Sequence, residues 1–225
     1  MKNFNNLIII NTLIAIAFLM SAPQIGAQRA TIGFRFMPTL SAFDLKTSSG
    51  GTVSGEAKLG YGIGGLIGVN ITKHVGVQGE LIYSAVSQKY TEQNVERQVN
   101  LRYFNIPLLV SLNTGKSKMV NLNIVAGPQI GVSAGSSLKI SGGEVSSPAA
   151  ILAVKKGDLG FAYGAGLDFG INSMRNIRFD VGFRGVLGLL DISDNSNTLA
   201  TDSYFILDRT HVKTNAIYVG LSFLF

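Results

Sequence analysis

Apolar side chains recur at every second position along most of this chain, a period that builds strands and cannot build helices. At the end of the chain, Ile217, Val219, Leu221, Phe223 and Phe225 share one face, and Ala216, Tyr218, Gly220 and Ser222 the other. Ile177, Phe179, Val181, Phe183, Leu187 and Leu189 alternate with Arg178, Asp180, Gly182, Arg184 and Gly188. The same rhythm holds Phe161, Tyr163, Leu167, Phe169 and Ile171 against Ala162, Gly164, Gly166, Asp168 and Gly170. Tyr61, Ile63, Ile67, Val69 and Ile71 likewise alternate with Gly60, Gly62, Gly64, Gly68 and Asn70.

Carried through the chain, the period predicts eight strands over 30–40, 59–71, 75–88, 97–112, 119–135, 158–171, 177–190 and 213–225. The fourth changes parity, from Val99, Leu101 and Tyr103 to Phe104, Ile106, Leu108, Val110 and Leu112, which predicts a bulge near Asn105–Pro107. The connections alternate in length. Ser41–Lys58, Ser136–Gly157 and Asp191–Val212 are long, Lys89–Glu96 is intermediate, and Thr72–His74, Asn113–Lys118 and Asn172–Asn176 are short. An even strand count with short turns at one end and longer loops at the other is the pattern of outer-membrane barrels. The expected fold is therefore all-β: an eight-stranded antiparallel up-and-down transmembrane barrel in the bacterial outer membrane, both termini periplasmic.

A water-soluble barrel shares the alternation, so the second face decides. Only 14% of the 225 residues are charged, and 27 are glycine. The face opposite the apolar one mixes glycine with Arg35, Glu80, Arg102, Asp168, Arg178, Asp180 and Arg184. A soluble exterior is densely charged, whereas a narrow lumen needs small residues beside each long charged chain. The apolar face then looks toward lipid.

The beginning of the chain predicts export. Lys2 precedes an apolar run from Leu7 to Met20, followed by small and turn-forming residues up to Ala27, the order of a secretory signal. Cleavage is expected after Ala27, with Ala22 as the fallback, leaving 28–225 as the barrel domain. The run is short for the roughly 20 residues of a spanning helix. Losing Lys2 takes the formal charge of +6 down by one. Cysteine is absent, which excludes disulfides and thiolate chemistry.

At the other end, Tyr218, Gly220, Phe223 and Phe225 resemble the terminal signal by which barrel assembly machinery recognises its clients. Further stretches carry a family resemblance. Gly79-Glu80-Leu81-Ile82-Tyr83-Ser84, Leu101-Arg102-Tyr103-Phe104-Asn105-Ile106-Pro107-Leu108-Leu109, Val125-Ala126-Gly127-Pro128 and the closing Val219 to Phe225 resemble the PorT-like outer-membrane β-barrel family of Bacteroidota. The Tyr-x-x-Ile-Pro-Leu stretch is the most specific piece. The resemblance implies location and fold, not a shared reaction, and a role in secretion is not transferred with it.

The seven charged residues of the second face form the main chemical constellation. Arginine holds carboxylates through a planar fork and keeps its charge. Such pairs either fill and rigidify a closed interior or line a narrow path for ions or small solutes. Two glycine runs, Gly62, Gly64, Gly68 and Gly164, Gly166, Gly170, have even spacing throughout, unlike the odd spacing of a dinucleotide loop. They read as lumen spacers. Of the two histidines, His74 sits in a short turn and His211 near the base of the last long loop, where Asp202 or Asp208 could join it. No nucleophile stands out and no histidine pair has metal-ligand spacing. No enzyme activity, cofactor or metal is expected. The lysines Lys46, Lys58, Lys139, Lys155 and Lys156 are scattered over loops and form no basic run, so nucleic acid is not expected; anionic headgroups at the outer surface suit them. The expected partners are outer-membrane lipid, the assembly machinery during biogenesis, and an unidentified molecule at the external loops Thr47–Glu56, Gly142–Lys155 and Ser193–Asp208. The expected role is structural or surface interaction, with a narrow channel as the alternative.

Overall fold

In the computed structural model of the chain, the described residues are 30–46, 52–53, 56–92, 95–141, 150–151, 155–192, 204–205 and 211–225. The expected signal segment 1–27, with both of its cleavage positions, lies outside them. So do residues 47–51, 54–55, 142–149, 152–154, 193–203 and 206–210 of the three loops expected to be longest.

Eight long strands follow one another: β1 (Ala30–Lys46), β2 (Leu59–Asn70), β3 (Val75–Glu92), β4 (Val95–Asn113), β5 (Val120–Ser141), β6 (Gly157–Gly170), β7 (Ile177–Gly188) and β8 (His211–Leu224). Each pairs antiparallel with the next, and β8 returns to β1, with Thr31 opposite Leu224 and Asp44 opposite His211. The ladder is closed, so neither β1 nor β8 leaves an open edge in hydrocarbon, where an unpaired backbone group is costly. The expected strands are all present. Several extend beyond the expected limits at the long-loop end: β1 reaches Lys46, β5 reaches Ser141, and β3 and β4 leave only residues 93–94 between them. Lys139, expected in a loop, therefore stands in β5. Ala150–Ile151 and Tyr204–Phe205 pair in parallel and tie the last two long connections together. At the short-turn end, Ala30 and Phe225 bond to each other's backbone.

Burial alternates as strictly as the sequence does. Outward Phe34, Ile67 and Ile217 are 64%, 67% and 63% exposed in the isolated molecule, while their inward neighbours Arg35, Leu66 and Ala216 are buried. On β8 the outward apolar residues run from Ile217 to Phe225, matching the about 9–11 residues that a tilted strand needs to cross a bilayer. Aromatic rings mark the belt's margin toward the long loops. Tyr61, Tyr83 and Phe104 stand side by side across three strands, with ring centroids 6.5 and 5.5 Å apart. Tyr163 and Phe183 form a similar pair at 6.3 Å. Aromatic girdles of this kind sit at the headgroup level.

The expected bulge near Asn105–Pro107 is absent. Val99, Leu101, Tyr103, Pro107 and Leu109 all point inward, and Arg102, Phe104, Ile106 and Leu108 all point outward, so β4 keeps one parity. Pro107 opposes Gln129 in the same register in which Val110 opposes Ala126. The real irregularity falls between Arg102 and Tyr103, which oppose Gly135 and Ser133 and leave Ala134 as the extra residue of β5. Gly135 takes φ 134°, a conformation that favours glycine. What changes along β4 is its surroundings. Beyond the aromatic margin the outer face of β3 and β4 is polar: Ser87 Oγ donates to Asn100 Oδ1 at 2.8 Å, Gln98 Nε2 to the same oxygen at 2.7 Å, and Lys58 Nζ to Gln98 Oε1 at 3.3 Å. There the apolar residues Val86, Val99 and Leu101 turn inward. Above the margin β4 keeps its apolar residues inside and its polar ones outside.

Candidate functional site

The lumen is crossed by a layer of buried ion pairs. Inward positions on β1, β3 and β7 bring Arg35, Glu80 and Arg184 together. Arg35 Nη1 donates to Glu80 Oε1 at 2.5 Å; Arg184 donates through Nη2 to the same oxygen at 2.9 Å and through Nη1 to Oε2 at 3.2 Å. Gln78 Nε2 also donates to Glu80 Oε1. Asp180 Oδ1 stands 3.7 Å from Arg35 Nη2. All four charged residues are nearly inaccessible to solvent. A charge taken so far from water survives only when paired and hydrogen-bonded, and here two cations meet two carboxylates.

Glycine makes the room. A Cβ on Gly220 would stand 3.0 Å from Arg35 Cγ and 3.1 Å from Asp180 Oδ2, and one on Gly182 would stand 2.6 Å from the Tyr218 hydroxyl. In the space so left, the Tyr218 ring lies 4.4 Å from the Arg35 guanidinium carbon, a cation–π contact.

A second group lies nearer the short-turn end. Arg178 Nε donates to Asp168 Oδ1, and Asn121 Nδ2 donates to Asp168 Oδ2 at 2.6 Å. The remaining nitrogens of Arg178 reach the turn between β4 and β5. Nη1 donates to the carbonyls of Lys116 and Lys118 at 2.8 and 3.0 Å, and Nη2 to that of Met119 at 3.3 Å. Arg175 Nη1 adds a bond to the Ser117 carbonyl at 2.8 Å. The turn is thus latched beneath the barrel, and Lys116 Nζ donates to Thr31 Oγ1 on β1 at 2.9 Å. Burial pushes the Lys116 ammonium down, against Asp168 and Asp180, which hold it up.

Six of the seven expected lumen charges therefore face inward, in two groups. Arg102 does not. It is exposed on the outer surface, in register with Ala85 and one step beyond Phe104, because β4 never switches parity. Its expected place in the network is corrected accordingly. The residues that sequence reasoning missed are Gln78 and Asn121, whose inward parity was readable, and Lys116, whose turn carried no such signal. Tyr218 and Gly220, expected as part of a terminal signal, also line the lumen; Phe223 and Phe225 face outward.

Two cavities flank the ion-pair layer. One of about 50 Å³ lies on the long-loop side, with mostly apolar walls and Arg184 at its base. One of about 20 Å³ lies on the short-turn side, between the two charged groups; it has room for about one water. The glycine runs sit inside β2 and β6, not at a strand–helix turn. His74 Nδ1 lies 3.0 Å from the Asn113 carbonyl in a short turn. His211 opens β8, and Asp202 and Asp208 fall outside the described residues. Among the described residues no three histidines or carboxylates gather as metal ligands.

The family described as outer membrane protein beta-barrel domain matches residues 22–194. Solved structures similar to the chain include Neisserial surface protein A, 11% identical over 87% of this chain and 97% of that one, TM-score 0.50. The outer membrane protein OprG of Pseudomonas aeruginosa is 12% identical over 89% and 99%, TM-score 0.49. Ail, the attachment invasion locus protein of Yersinia pestis, is 15% identical over 88% and 99%, TM-score 0.40. No curated protein matches the chain.

Proposed function

Because the chain belongs to the outer membrane protein β-barrel domain family, we propose that it works as a sealed anchor that holds its long connections outside the cell. The observation that carries this reading is the double closure of the lumen. The Arg35–Glu80–Arg184 layer fills the middle, and the latched turn with Arg178 lies across the short-turn end. A closed interior leaves the loops as the part that meets other molecules.

In this reading the short-turn end and both termini face the periplasm, residues 1–27 are a signal removed on export, and the strands rest in outer-membrane lipid. Lipid-facing Phe223 and Phe225 at the end of β8 support recognition by the assembly machinery. The narrower PorT-like affinity within Bacteroidota rests on the sequence resemblance of the Leu101 to Leu109 stretch. No reaction is assigned to the lumen, where Glu80 and Asp168 are committed to arginines. A narrow channel is the second reading, favoured by the cavities on either side of the ion-pair layer; it requires Glu80 to part from Arg184.

Orientation is tested on whole cells. Cysteine is absent, so Ser146→Cys and Ser117→Cys each create a single labelling site. An impermeant maleimide should label Ser146→Cys in intact cells and Ser117→Cys only after the outer membrane is opened. The opposite order would overturn the proposed orientation.

A further inference from the structure

The ion-pair layer leaves buried polar atoms without partners on both sides, Arg35 Nε and Asp180 Oδ2 around the short-turn cavity among them. Arg184 Nε and the Tyr103 hydroxyl are buried donors with no partner in the protein, and both line the cavity on the long-loop side. Buried donors left unpaired are rare and costly. Around them, Met37, Ile82, Val86 and Ala216 make an apolar wall. We infer that this cavity is a binding site for a small uncharged molecule with an apolar body and one hydrogen-bond acceptor, of the short ketone or amide class.

Charge selects the neutral ligand. Both oxygens of Glu80 already accept from Arg184, so the guanidinium offers a directed N–H more than an unbalanced positive charge. Asp158 places a carboxylate on the same wall, which disfavours an anion. A cation would instead meet the guanidinium at the base. Size sets the scale: a cavity of about 150 Å³ holds benzene, so one of about 50 Å³ takes a molecule of a few heavy atoms. Thr39, Ser84, Asn105, Gln129 and Thr214 also line the cavity and can hold water, so the ligand binds by displacing that water and seating its apolar body against Met37, Ile82, Val86 and Ala216. The inference adds a ligand to the sealed barrel and stands whether or not the barrel conducts, because it concerns only the space on the long-loop side of Arg184.

The probes are propanone and its near-isosteric anion acetate, added to the methyl-labelled full-length barrel in lipid nanodiscs. Propanone should shift the Met37 and Ile82 methyl signals with a saturating, millimolar dependence, while outward Ile63 and Ile217 drift linearly as the probe enters lipid. Acetate should bind at least several-fold more weakly. Tyr103→Phe, which removes a donor and keeps the shape, should weaken propanone several-fold, and Ala216→Leu should abolish the saturating shift. If Ala216→Leu fails to fold, Tyr103→Phe carries the test alone. A linear shift at Met37 and Ile82, an unchanged affinity in Tyr103→Phe, or acetate binding as tightly as propanone would each overturn the inference.

Discussion

Arg184 holds Glu80 with both terminal nitrogens, Nη2 at 2.9 Å and Nη1 at 3.2 Å, across a lumen whose other side supplies Arg35 to the same carboxylate. Glu80 is thus the single anion that two guanidiniums share most closely. Neutralising it leaves two buried cations facing one another. Glu80→Gln should cost about 3–5 kcal/mol, the usual penalty for breaking a buried pair from one side. Urea titration of the folded band on unheated gels measures it. Adding Arg184→Gln to Glu80→Gln should cost less than the two single changes summed.

The Tyr218 slot gives a second expectation. Gly182 faces the Tyr218 hydroxyl so closely that even a Cβ would collide with it. Gly182→Val should displace the ring from Arg35 and cost about 1–3 kcal/mol, as overpacking does. Tyr218→Phe keeps the ring under the guanidinium and should cost less than Gly182→Val in the same titration.

Parity can be tested with arginine itself. Phe179 faces lipid, so Phe179→Arg should cost about 2–4 kcal/mol if it lies near the bilayer midplane. Arg102, exposed beyond the aromatic margin, should tolerate Arg102→Ala within about 0.5 kcal/mol, the range of ordinary surface changes. A large loss on Arg102→Ala would return that side chain to the lumen.

The latched turn should respond locally. Arg175→Ala removes the bond to the Ser117 carbonyl without touching a buried carboxylate. Amide hydrogen exchange at 115–118 should quicken, with protection in β4 and β5 unchanged. Faster exchange along the strands instead would mean that the turn supports the barrel as a whole.

Most of the barrel was legible because lipid and lumen impose opposite preferences on alternate residues, and segments such as Ile177 to Leu189 record that preference without a break. The same logic misled at β4. Sequence shows where greasy residues switch sides, but not that the chain has left the bilayer there, so Tyr103 and Phe104 suggested a bulge where the surroundings had changed. Arg102 was misassigned for that reason. Lys116 was invisible for another: its turn folds beneath the barrel only because Arg175 and Arg178, distant in sequence, bind its carbonyls. The ion-pair partners were readable as a set, but which guanidinium meets which carboxylate depends on the stagger of the closed ladder.

Closure of the lumen is the claim on which the functional reading rests, and single-molecule conductance in planar bilayers addresses it directly. Folded wild-type protein should insert without discrete current steps, because Glu80, Arg35 and Arg184 fill the middle and the Arg178-bound turn lies beneath. Steady unitary currents from the wild type, altered in selectivity by Arg184→Ala, would contradict a sealed anchor and make the ion-pair layer a gate.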